Sequence, residues 1–172
     1  MGSELATPGP VSGEAWDGSR WSREDVGRVA LLLLALKKLP EAQHLELLED
    51  LYFRGSMQEK RAVLLALPFA PDRQRFVELA VEACRTNAVS VFEALACENT
   101  FPGEEFTDPQ FNQLVLKTMF LGLEAQRILG VQERLTQTLV RMVKDFENER
   151  RAAGRPVPSG IPWIVEMAEG TS

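Results

Sequence analysis

Histidine and tyrosine each occur once in these 172 residues, and cysteine occurs twice. One imidazole, His44, with scattered acids and no cysteine cluster does not make a metal centre, so no metal and no cofactor is expected. Cys84 and Cys97 lie within apolar helical patterns and are too few for a disulfide framework, which leaves free, buried thiols as the expectation. There is no glycine-rich phosphate loop, no nucleophile elbow and no Ser–His–Asp order, so the common signatures of catalysis are missing. Positive charge is scarce: 19 Lys and Arg face 25 Asp and Glu, for a formal net charge of −6. The basic residues are interleaved with acids, which argues against a nucleic-acid partner. The longest apolar run, Val29 to Leu36, is too short to cross a bilayer, and the first residues lack a signal peptide's basic start and apolar stretch. The expectation is a soluble cytoplasmic protein, not an integral membrane protein.

What is present is helical pattern. An apolar share of 45% suits one globular domain. Residues 1–21 are rich in Gly, Pro, Ser and Thr and are expected to form a disordered arm, leaving a single domain over 22–172. Ser22 with Asp25 has the shape of a capping box, opening a helix to about Leu36 that is buried along most of its length. Pro40 opens a second helix, ended by Gly55, and Ser56 with Glu59 caps a third to Leu67. A fourth runs from Pro71-Asp72 to near Thr86, and a fifth from Asn87 to about Cys97. Residues 98–107 read as a loop. Asp108-Pro109, as N-cap and first helical residue, starts a sixth helix to about Leu121. A short turn over 123–129, a long helix over 132–153 stopped by Gly154, and a short helix over 162–168 complete the chain. No segment alternates with period two. The class is all-α, seven or eight helices in antiparallel pairs. P-E-A-Q-H-L-E-L-L at 40–48 aligns with P-D-R-Q-R-F-V-E-L at 71–79. That offset suits either a HEAT-like solenoid or an irregular helical bundle.

Polar residues that break apolar stripes mark where a ligand could sit. Asn112 falls inside the apolar arc of the sixth helix, where it either ties off a helix end or contacts a ligand. Lys117 lies on that helix's narrow polar strip and reads as solvated. Glu149 and Arg150 replace core positions in the last turns of the long helix, as a charged pair beside a pocket or as a helix end leaving the core. Arg85 reads as exposed, Asn87 as a cap at the R-T-N junction, and Asn99 as the start of an Asx-turn. Glu93 borders the apolar face of the fifth helix.

Several blocks are longer and more specific than any short motif: R-T-N-A-V-S-V-F-E-A-L-A, E-N-T-F-P, F-N-Q-L-V-L-K-T-M-F, R-I-L-G-V-Q-E-R-L and E-R-R-A-A-G-R-P-V. In these, over roughly residues 22–163, the chain resembles the EboA family, small helical proteins of the ebo gene clusters. The resemblance implies a role in a pathway that makes or exports small secondary metabolites, with other ebo-cluster proteins or a small metabolite as partner. It transfers no catalytic residue. Two roles are open. One is a non-catalytic accessory protein or scaffold. The alternative is an enzyme whose pocket, lined by Asn112, Glu149, Arg150, Arg127 and Arg85, with Asn87 and Asn99 as further candidates, binds a metabolite whose acidic groups suit arginine.

Overall fold

A computed structural model describes residues 20–170. Among them the chain is helical without strands: α1 (Arg23–Lys38), α2 (His44–Arg54), α3 (Met57–Ala66), α4 (Val77–Ala83), α5 (Val89–Ala96), α6 (Phe101–Glu105), α7 (Asp108–Phe120), α8 (Gln137–Ala152) and α9 (Gly160–Gly170). The expected all-α class holds, with nine helices described where seven or eight were expected. The arm expected over 1–21 lies outside the described residues except for Arg20 and Trp21, and Trp21 packs edge-on against Phe69.

α3 is the central element. Its second half, Ala62 to Ala66, is buried all round, and it packs chiefly against α1, α5 and α2. Both expected capping boxes form: the Ser22 Oγ accepts from the Asp25 N–H, and the Ser56 N–H donates to Glu59 at 2.7 Å. Asp25 also accepts from Arg61 of α3 at 3.2 Å. Burial pushes its carboxyl up, but the Arg61 and Ser22 interactions outweigh this and hold it below its usual 3.8. At the far end, α8 packs against α9 and α7. α9 starts at Gly160, where a Cβ would stand 2.7 Å from that of Ala125, so only glycine fits there.

Several boundaries differ from those expected, each for a local reason. α1 is buried only at Asp25, Val29, Leu32 and Leu36; Val26, Leu31 and Leu34 are exposed, because its principal neighbour, α3, covers one face. Asp72 takes a left-handed backbone, φ 50°, and the next residues form a 3-10 turn, so α4 proper waits until Val77. The second helix likewise begins with a 3-10 turn, Glu41–Gln43, so the two repeat-like segments share their opening. The 85–88 junction is held by the Thr86 hydroxyl, which accepts from the Ala88 N–H, and α5 begins two residues after Asn87.

The expected 98–107 loop contains α6. Its Pro102 sits in the first turn, where a missing N–H costs nothing, and Arg73 pairs with Glu104 and Glu105 on its surface. α7 is capped by Thr107, whose N–H donates to Gln110 at 2.9 Å, so the cap falls one residue before Asp108. The long helix starts at Gln137 instead of Gln132, because the Thr136 hydroxyl accepts from the Leu139 N–H and the preceding residues are turns. α9 begins two residues before and ends two residues after the expected 162–168 helix.

Candidate functional site

Arg127 is the most heavily engaged of the expected site residues. It leaves a 3-10 turn, Ala125–Arg127, and reaches the C-terminal end of α5. Its Nε and Nη2 donate to the two carboxylate oxygens of Glu98 at 2.7 and 2.8 Å, and Nη1 donates to Glu93 at 2.7 Å. The Glu98 N–H in turn donates to the Arg127 carbonyl at 2.9 Å. Glu98 has a left-handed backbone, φ 48°, a conformation that costs a side-chain-bearing residue about 1–2 kcal/mol. The ion pair holds that strained turn. The hydrogen bonds it donates to the two glutamates raise the guanidinium pKa, so Arg127 stays charged at any pH the fold survives.

These groups line a pocket of about 360 Å³ with Arg20, Trp21, Arg61, Leu65, Ala94 and Cys97. Arg61 is positioned from α3 by its bonds to Asp25 and to the Ser90 carbonyl, the latter at 2.6 Å. Arg20 approaches Glu98 at 3.7 Å from the rim. Burial pushes the Cys97 thiol up to about 12 against the opposing pull of Arg127, which keeps it in the protonated, weakly nucleophilic form at neutral pH. Arg127 was a candidate in the sequence; Arg61 and Arg20 were not, and Glu93 was read only as an edge residue. No local pattern announces them, because α3, α5 and the 127 turn meet only in the fold.

The other candidates are dispersed. Arg85 is exposed, pairs with Glu82 at 2.7 Å and lines a separate surface groove with Lys117. Asn87 and Glu149 are exposed. Arg150 lies over the Phe146 ring and donates to the Pro156 carbonyl at 3.0 Å, which closes the end of α8. Asn99 is buried: its amide donates to the Leu64 and Ala94 carbonyls, and its oxygen accepts from the Phe101 N–H in an Asx-turn. Lys117, expected to be solvated, is partly buried over Phe92 and donates to the carbonyls of Cys84 and Thr86, closing the end of α4. Arg134, absent from the sequence candidates, sits over Phe111, donates to the Phe106 carbonyl at 2.6 Å and pairs with Asp108.

Asn112 is 3% exposed, and its Oδ1 has no hydrogen-bond partner. It borders a pocket of about 280 Å³ with Asp108, Gln113, Thr136, Thr138 and Met142, where the starts of α7 and α8 meet. Asn112→Leu, similar in volume, is expected to stabilise the fold by about 1–2 kcal/mol, because it removes an unpaired buried acceptor. Urea unfolding checks this; a loss of stability would mean the amide has a polar partner in solution.

Among the described residues no group of three His, Cys, Asp or Glu side chains could hold a metal ion, and no helix is long and apolar enough to cross a membrane. Fold and pocket together define an all-helical protein in which three arginines, Arg20, Arg61 and Arg127, line one small polar cavity. The chain belongs to the EboA family: the family model, described as metabolite traffic protein EboA, matches residues 8–166. No curated protein and no solved structure matches it.

Proposed function

We propose that this protein is a cytoplasmic accessory protein of a small-secondary-metabolite pathway, one that holds a metabolite or a partner protein of the pathway and does not itself convert it. The observation that carries the reading is where the reactive side chains go. Lys117, Arg134 and His44 donate to backbone carbonyls, Arg127 is ion-paired with two carboxylates, and both thiols are pushed up to about 12 by burial. Groups so committed hold structure and do not transfer protons or bonds. The family's description as a metabolite traffic protein supports the same reading.

The test is native capture of the tagged chain from cells expressing its own gene cluster. Immunoblots for the other cluster products and mass spectrometry for small molecules read the result. Reproducible recovery of a cluster protein or a pathway metabolite is expected; repeated recovery of neither overturns the reading. The second reading, an enzyme of the same pathway, is favoured by the strained Glu98 beside the pocket, since such strain gathers at functional sites. Turnover of a pathway intermediate by the purified chain alone would establish it over the first.

A further inference from the structure

The Arg127 pocket is unbalanced in hydrogen-bonding capacity. Three guanidinium groups and two carboxylates line it, and a third carboxylate, Asp25, pairs with Arg61 outside the lining, so the cluster is balanced in charge but the lining itself is richer in donors. Of the five N–H groups of Arg127, three are given to Glu98 and Glu93. Arg61 gives one to the Ser90 carbonyl and one to Asp25. Arg20 touches Glu98 only at 3.7 Å. The acceptors are nearly spent by comparison: both Glu98 oxygens accept from Arg127, and Glu93 accepts through one. A ligand entering here meets donors.

The donors are also fixed before it arrives. Glu98 and Glu93 grip Arg127, while Asp25 and the Ser90 carbonyl grip Arg61, so little side-chain entropy remains to be lost on binding. Arg127 and Glu98 are each only 15% exposed, which weakens competition from water, whereas Arg20 is 55% exposed and stands at the mouth. Leu65, Ala94, Cys97 and Trp21 supply apolar surface beside the charges. A cation would find one vacant carboxylate oxygen facing three positive groups, and a neutral polyol would answer the spare guanidinium donors only with weaker, uncharged acceptors.

We infer that the pocket between α3, α5 and the Arg127 turn binds the anionic group of a small molecule, a carboxylate or a phosphate, against Arg127 and Arg61 with Arg20 closing on it from the rim. This deepens the binding role proposed above and rests on it.

The experiment is a titration of the full isotope-labelled chain followed by NMR at the backbone amides of Cys97, Glu98 and Arg127 and at the Trp21 indole. The probes are benzoate, inorganic phosphate, glucose and benzylamine. Saturable shifts are expected with benzoate or with phosphate, and whichever saturates at lower concentration identifies the group. They should weaken as salt is raised. Arg20→Gln is expected to reduce the affinity roughly three- to fivefold, whereas Arg54→Gln, an exposed arginine on α2, leaves it unchanged. Shifts that do not saturate, equal shifts with glucose or benzylamine, or equal effects of the two substitutions overturn the inference. Its failure is separable from that of the accessory reading. A captured pathway metabolite without an acidic group removes the anion assignment and keeps the accessory role; capture of neither protein nor metabolite removes the role whatever the probes do.

Discussion

Asn99→Leu is expected to cost about 3–5 kcal/mol of stability, the largest loss from any single polar side chain considered. The residue is 2% exposed and makes three hydrogen bonds, to the Leu64 carbonyl of α3, the Ala94 carbonyl of α5 and the Phe101 N–H that opens α6. Leucine fills the volume but strands backbone groups of three helices away from water. Each stranded group costs about 1–3 kcal/mol, less where a carbonyl keeps a second partner. Leu64 keeps one, because its oxygen also accepts from the Leu67 N–H. Asn99→Asp separates hydrogen bonding from shape. It retains an acceptor for Phe101 but turns a carboxylate toward two carbonyls, so at neutral pH it should be at least as damaging as leucine. Burial and those carbonyls raise its folded pKa, so its stability relative to the parent should improve as pH falls through that pKa. Urea denaturation at pH 7 and pH 5 measures both effects. A loss below about 1 kcal/mol for leucine, or an aspartate variant matching the parent at pH 7, would refute the keystone role.

Arg127→Met comes second, with an expected loss of about 2–4 kcal/mol. The low end applies because the pair opens partly into the pocket. Methionine preserves the stem and removes the charge, which leaves Glu98 and Glu93 facing each other beside a buried thiol. Neutralising either carboxylate removes that repulsion, so the deficit should shrink as the solution is acidified. The intact protein moves the other way: Asp25 is held below 3.8, and that stabilisation is lost as pH falls through its lowered value. Adding Glu98→Gln to Arg127→Met should recover part of the loss, since it removes the more buried of the two orphaned charges. A double variant no more stable than Arg127→Met would show that hydrogen-bond geometry, not charge, is what the pair contributes. Thermal melts of the four proteins complete the cycle.

How much of this was legible in the chain depends on the distance over which each interaction acts. Helical periodicity and capping boxes are written within four residues, so α1, α2, α3 and α7 appear close to their true extents. The Ser22–Asp25 and Ser56–Glu59 boxes are formed as the residue types imply. Contacts between residues about thirty apart leave no such trace. Arg127 reaching Glu93 and Glu98, Lys117 reaching the carbonyls of Cys84 and Thr86, and Arg134 reaching α6 all belong to that kind. They explain why α6 looked like a loop and why Lys117 looked solvated. The burial of Asn112 could be read from its helix face; its missing partner could not. At Glu149 and Arg150 the broken stripe was visible, but the Pro156 carbonyl that receives Arg150 lies beyond the helix and outside any periodic rule.

The two thiols have a practical consequence. With both pushed up to about 12 by burial, little of either is thiolate at pH 8, and Cys97 is also shielded by packing. A thiol reagent therefore reads openings of the native chain instead of its resting shape. Cys84, beneath the Lys117 clasp on α4, times the parting of the α4–α5 junction; Cys97 times the unlatching of the floor beneath Arg127. The chain carries two stopwatches, one at the pocket and one at a neighbouring hinge of its helices. Their readings would show which of the two lets go first, and whether an anion in the pocket slows only its own.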